Sequence, residues 1–204
     1  MGEAGVAHAS DRGRPARIMK PTQQSGWHSR GYLPHFDLPE VVQFITFRLA
    51  DSLPSNVANV LKHRDHALPR LDHELDLGRG ACWLRRPDVA SMVESSLLHF
   101  DMEHYRMLAW CLMPNHVHAV VRIIDGHSVS DIVGTWKSFT AKRANIQLGR
   151  SGSFWHPDYF DRYMRDEDHL TRTVDYVENN PVKTGLVAAA MDWPWSSARL
   201  RRQA

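Results

Sequence analysis

Apolar residues recur along this chain with two different periods, and each change of period marks an element. Residues 41–49 form the first strand candidate, with Phe44, Ile45, Thr46 and Phe47 in a β-prone run. Within residues 56–75, Val57, Val60, Leu61, Leu68, Leu71 and Leu75 recur at helical spacing, and Pro69 predicts a break. Asp88 is expected to cap a helix over residues 89–100, with Val89, Met92, Val93, Ser96 and Leu97 on one face. Residues 105–113 and 116–124 predict a hairpin around Pro114-Asn115, a pair suited to the centre of a tight turn. A helix is expected from Ser130 or Asp131 to about Leu148, with Ile132, Trp136, Phe139 and Ala144 as its core stripe. Residues 159–164 read as a short strand. Asp166 caps a last helix that ends near Asn180, because Pro181 disfavours helical geometry in the residue before it.

This order gives a β-α-β-β-α-β core with an additional C-terminal helix, an α+β sandwich of ferredoxin-like type. Two helices should cover one sheet face, leaving the other for DNA, RNA or a further helix. Residues 1–26 lack periodicity and are expected to form a mobile basic arm. Residues 27–198 should form one domain, followed by a basic tail over 199–204.

Composition narrows the class. Of 204 residues, 43% are hydrophobic and 24% charged, which excludes a disordered chain, a collagen-like fibre and a coiled coil. No apolar run is long enough to cross a bilayer. The N-terminus has no apolar leader pattern, and Cys82 and Cys111 make no disulfide framework, so a reducing cytoplasm is expected. Net charge is only +2, but it is unevenly spread. Residues 1–30 and 131–150 each carry a net +3, where a polyanion could lie.

Two local patterns could carry chemistry. On a strand, His116 and His118 project to one side while Val117, Ala119, Val121 and Ile123 project to the other. A metal-binding pair and two satisfied histidines beside a turn both fit that spacing. On the last helix Leu170, Val174 and Val177 define a buried stripe, with Tyr176 and Asn180 one turn apart on its flank. They could line an active site or simply pack. Lys137 and Arg143 should face outward from the preceding helix, beside Lys142, where phosphate contacts are plausible. Trp136 and Phe139 should face the core. Phe154-Trp155 and Trp193-Pro194-Trp195 could stack on unpaired bases or close a small core.

Taken together, these segments resemble a family. Trp110-Cys-Leu-Met-Pro-Asn-His-Val-His-Ala-Val-Val is similar to the HUH motif of single-tyrosine transposases. The blocks starting at Ser153 (Ser-Phe-Trp-His-Pro-Asp-Tyr-Phe-Asp-Arg-Tyr-Met-Arg-Asp) and Tyr176 (Tyr-Val-Glu-Asn-Asn-Pro-Val-Lys-Thr-Gly-Leu-Val) resemble those of the REP-associated subgroup. So do Arg30-Gly-Tyr-Leu-Pro-His-Phe, Gln43-Phe-Ile-Thr-Phe-Arg-Leu and Trp193-Pro-Trp-Ser-Ser. The resemblance implies a single-stranded DNA transesterase that cleaves and rejoins repetitive extragenic palindromic hairpins through a 5′-phosphotyrosine bond. It implies His116 and His118 as ligands of Mg²⁺ or Mn²⁺, Tyr176 as nucleophile and Asn180 as third ligand, where many relatives have Gln. It implies hairpin DNA as partner, with Arg30, Lys137, Lys142 and Arg143 as candidate contacts, no membrane, and a bacterial, nucleoid-associated location. It leaves monomer or homodimer open. Two other readings remain: a noncatalytic nucleic-acid-binding module, and a metal-dependent nuclease that uses water, with Tyr176 structural.

Overall fold

The computed structural model describes residues 27–29, 34–36, 41–54 and 67–203. The expected N-terminal arm, Arg30 and residues 56–66 of the expected first helix lie outside them. Six strands are described: β1 (Trp27–Ser29), β2 (Pro34–Phe36), β3 (Val42–Arg48), β4 (Tyr105–Leu112), β5 (His116–Ile123) and β6 (Phe160–Tyr163). Four α-helices accompany them: α1 (Ala67–Asp76), α2 (Pro87–Leu98), α3 (Val129–Gln147) and α4 (Glu167–Lys183). β1 and β2 form a small antiparallel ribbon. The main sheet is antiparallel in the order β4-β5-β3-β6, as the ferredoxin-like topology requires.

Both sheet faces are covered. On one, Ile45, Phe47, Val117, Ala119 and Val121 pack against α2 and α3. On the other, Val42, Phe44, Ala109 and Val120 pack with Leu71 and Leu75 of α1 and Val177 of α4. Of the occupants expected for this second face, DNA, RNA or a further helix, it carries helices, α1 and α4. A β-bulge between Met107 and Ala109 shifts the parity of β4, so Met107 and Trp110 lie on the same side. The C-terminal segment closes the β4 edge: the Leu112 amide donates to the Trp195 carbonyl at 2.8 Å.

Three local expectations change. Asp88 is in the first turn of α2 rather than at its cap; Pro87 opens that helix, where its missing N–H costs nothing. Phe139 is 51% exposed, not in the core. Thr140 takes the inward position on α3 because its hydroxyl accepts the buried Trp155 indole N–H at 2.8 Å and donates to the Trp136 carbonyl at 2.6 Å. The last helix runs through Pro181 to Lys183. A proline there removes one hydrogen bond near the end, and the following turn is closed by a Schellman motif. Leu186 N–H donates to the Pro181 carbonyl, Gly185 N–H donates to the Val182 carbonyl, and Gly185 takes φ +73°. Among the described residues no helix is long and apolar enough to cross a membrane.

Candidate active site

The site forms where the β4–β5 turn meets the C-terminal half of α4. The Met113 amide donates to the His116 carbonyl at 2.9 Å and closes the turn. Asn115 is fully buried in it, and its Nδ2 donates to the Leu75 and Arg79 carbonyls at 3.1 Å, which ties the turn to the end of α1. Its Oδ1 accepts from His116 Nδ1 at 2.7 Å. An amide oxygen can only accept, so His116 carries its proton on Nδ1 and turns an Nε2 lone pair inward.

The β3–β5 register places Thr46 opposite His118. Thr46 Oγ1 lies 2.8 Å from His118 Nδ1, and Phe44 stacks on the His118 ring at 5.5 Å between centroids. These contacts fix both rings, and the two Nε2 atoms converge to 3.0 Å. Both histidines are fully buried. Burial lowers the His118 pKa to about 3, helped by the Lys183 charge, and lowers that of His116 well below its ordinary value, helped by His118 and Lys183. Both imidazoles are neutral near pH 7, the form in which the ring binds a metal.

α4 completes the constellation. Asn180 is fully buried; its Nδ2 lies 3.1 Å from His118 Nε2 and donates to the Tyr176 hydroxyl at 3.3 Å. Its Oδ1 is buried without a hydrogen-bond partner, an arrangement that costs free energy unless something fills it. Two imidazole nitrogens and an uncommitted amide oxygen in one cluster fit a divalent cation. Among the described residues no three His, Cys, Asp or Glu side chains come together in this way, so the amide would be the third donor. The Tyr176 ring sits edge-on to Phe44 and to His118, with centroids at 6.2 and 5.7 Å. Burial, then the charge of Asp72, pushes its phenol above the usual tyrosine range. A cleft of about 320 Å³ opens beside it, lined by Phe44, Asp72, Arg162, Arg172, Tyr176 and Lys183.

The structure thus brings His116, His118, Tyr176 and Asn180 together. It does not bring the expected DNA-contacting residues of α3 to them. That helix packs on the opposite sheet face, where Lys142 and Arg143 are exposed. Lys137 is engaged across a loop, donating to the Pro157 carbonyl at 2.6 Å and the Asp158 carbonyl at 3.4 Å. The aromatic candidates pack. Phe154 and Trp155 are buried in the core, and the Trp193 indole donates to the Leu112 carbonyl at 2.9 Å. Sequence reasoning missed Thr46, Asn115 and Asp72 as parts of the site. The alternation of β3 held a signal for Thr46, which sits opposite in parity to Ile45 and Phe47.

Residues 87–180 match the family described as "Transposase IS200 like". A putative REP-associated tyrosine transposase of Haemophilus influenzae is 30% identical over 107 residues, 47% of this chain and 61% of that protein. The REP-associated tyrosine transposase of Escherichia coli is 27% identical over 93 residues, 46% of this chain and 54% of that protein. The aligned part of the chain therefore spans under two thirds of either relative. The solved structure of a REP-associated tyrosine transposase bound to a REP hairpin superposes with a TM-score of 0.53 at 18% identity, covering 81% of each chain. These matches bear out the resemblance and the α+β fold read from the sequence.

Proposed function

We propose that this chain, a relative of the REP-associated tyrosine transposases, is a metal-dependent transesterase that cleaves and rejoins single-stranded DNA at palindromic hairpins. The observation that carries the reading is the unbroken series of close contacts from His116 Nε2 through His118 Nε2 and Asn180 Nδ2 to the Tyr176 hydroxyl, at 3.0, 3.1 and 3.3 Å. A phenol, two neutral imidazoles and an uncommitted amide oxygen are the parts that a phosphodiester transfer through tyrosine needs.

His116, His118 and Asn180 would hold Mg²⁺ or Mn²⁺, and the two nitrogen donors favour Mn²⁺ over the oxygen-seeking Mg²⁺. When bound, such an ion offsets the charge of a nonbridging phosphate oxygen and orients the ester. The chain's own residues do the rest. Asn115 and Thr46 hold the two rings in place, while Phe44 packs against both His118 and Tyr176. Arg162, Arg172 and Lys183 give the cleft positive charge to attract the DNA backbone. Attack by the Tyr176 oxygen forms a 5′-phosphotyrosine ester and frees a 3′-hydroxyl. The ester conserves the energy of the broken bond, so a 3′-hydroxyl can reverse the step without ATP.

The test is incubation of the protein with a labelled hairpin oligonucleotide carrying a single-stranded flank and Mn²⁺, followed by denaturing electrophoresis. A covalent adduct that disappears in Tyr176→Phe and in His116→Ala/His118→Ala is expected. Cleavage without an adduct would favour attack by water, and binding without cleavage would favour a noncatalytic module.

A further inference from the structure

We propose that Asp72 is the base that takes the phenol proton of Tyr176 as its oxygen attacks phosphorus. This rests on the transesterase reading above. It assigns a role to a residue on α1, a helix that the motif segments do not include.

The geometry narrows the choice of acceptor. The Tyr176 hydroxyl receives a hydrogen bond from Asn180 Nδ2 at 3.3 Å, so its own proton must point elsewhere, and the buried Asp72 carboxylate lines the same cleft with an oxygen that has no hydrogen-bond partner. The other groups close to the phenol are poor acceptors. The inward nitrogens His116 Nε2 and His118 Nε2 face each other at 3.0 Å, where a metal would take their lone pairs, and His118 Nε2 is also met by Asn180 Nδ2 at 3.1 Å. The Lys183 ammonium lies 5.6 Å from the Tyr176 ring centroid and has protons to give, not to take.

Asp72 is also a poor fit to a purely structural role. It is 5% exposed, and its Oδ1 is buried with no hydrogen-bond partner. Lys183, whose charge reaches both Asp72 and Asp76, makes its 2.8 Å ion pair with Asp76. A buried carboxylate with a vacant oxygen beside a phenol is costly to the fold, which points to function. Burial, reinforced by Asp76 and opposed by Tyr176 and Lys183, raises its pKa to about 7. A base of that strength accepts a proton better than an ordinary carboxylate while remaining largely ionised just above neutrality. The other charged groups on the cleft are Arg162 on β6 and Arg172 on α4, with His169 at its rim.

The step balances. The phenol O–H bond breaks, and its proton passes to an Asp72 oxygen. The Tyr176 oxygen–phosphorus bond forms as the phosphorus–O3′ bond breaks, and the departing 3′ oxygen takes a proton from water. In rejoining, a 3′-hydroxyl gives its proton to water as its oxygen bonds to phosphorus, the bond from phosphorus to the tyrosyl oxygen breaks, and Asp72 returns its proton to that oxygen.

The experiment measures the single-turnover rate of adduct formation with hairpin DNA and Mn²⁺ in the full chain, alongside hairpin affinity. Asp72→Asn keeps size and shape and should slow adduct formation by about 10²- to 10⁴-fold, with affinity near wild type. Glu74→Gln, on the same helix and paired with Arg79 at the surface, should react at the wild-type rate. Replacing Tyr176 with 3,5-difluorotyrosine makes the phenol more acidic and less dependent on a base. It should restore much of the rate in Asp72→Asn while changing the parent protein little. If Asp72→Asn does not fold, Asp72→Ala with added formate serves instead, and rescue by formate is expected. An Asp72→Asn rate equal to wild type would overturn the inference while leaving the transesterase reading intact. So would an equal effect of the fluorinated tyrosine with and without Asp72. Failure of the parent protein to form any adduct would remove both together.

Discussion

Thr46→Val isolates one hydrogen bond of the candidate metal site. Valine has nearly the shape of threonine, so β3 and its neighbours should keep their places, and what is lost is the hydroxyl 2.8 Å from His118 Nδ1. Both residues are buried, so no water replaces it. Leaving a buried ring nitrogen without a partner costs about 1–3 kcal/mol. The ring also loses the contact that holds its rotation, and residues that orient metal-binding histidines typically contribute about 10- to 100-fold in metal affinity. At about 1.4 kcal/mol per tenfold step, the two figures describe the same range. Mn²⁺ titration followed by the electron paramagnetic resonance signal of the free ion reads the affinity directly, without DNA or turnover. Thr46→Val should weaken binding by about 10- to 100-fold, and Thr46→Ser, which keeps the hydroxyl, should stay close to the parent. Parent-like Mn²⁺ affinity in Thr46→Val would refute the argument that Thr46 sets the His118 ring. Parent-like affinity in His118→Ala as well would refute the ligand assignment itself.

Asp72→Asn should stabilise the protein in a pH-dependent way. The folded state raises this carboxyl from 3.8 to about 7, so ionising it disfavours the fold. The parent's stability is therefore greatest at acid pH with respect to this group, and it falls as pH rises through about 7. Asparagine does not titrate, so its advantage should grow from about pH 4 to about pH 7 and then level off, on the order of 4 kcal/mol. Urea unfolding at pH 5 and pH 8 measures this, and a constant difference would contradict it. Trp136→Ala should cost about 3–5 kcal/mol by opening the core between α3 and the sheet, whereas the exposed Phe139→Ser should stay within about 0.5 kcal/mol; thermal melts separate them. Gly185→Ala meets no atom within 4 Å but forces a side chain to φ +73°, and should cost about 1–2 kcal/mol in the same assay.

What the sequence made legible was local. The alternation of β5 placed Val117, Ala119 and Val121 on one side and both histidines on the other, because strand parity needs no knowledge of neighbours. The four-residue step from Tyr176 to Asn180 is equally local. Phe139 misled because hydrophobicity alone cannot register that a buried Trp155 indole needs an acceptor, which Thr140 supplies. Pro181 misled because a proline in the last turn removes a single bond, and Gly185 then closes the end. Asp72 and Asn115 were invisible for a different reason. Their roles depend on α1 docking against the β4–β5 turn and α4, contacts between segments about 40 and 104 positions apart in the chain. No periodicity encodes a contact of that range.

The geometry of α4 explains how a polar site survives inside the sandwich. Val177 packs against the sheet, while Tyr176 and Asn180 turn toward the histidines. Glu178 turns toward the C-terminal segment, where Ser197 donates to it at 2.7 Å and Arg201 at 2.6 Å. Ser197 is in turn tied to Trp110 of β4, accepting from its amide at 3.1 Å. The helix is thus anchored on sides that do not face the histidines, and these anchors set the rotation that turns Tyr176 and Asn180 toward them. Buried Asn180, His116, His118 and Asp72 each disfavour the fold unless partnered or charged only when needed. The apolar packing of α2 and α3 on the far face supplies stability independently of them. A site of neutral rings and incompletely bonded oxygens can therefore persist on one face because the opposite face holds the sheet together.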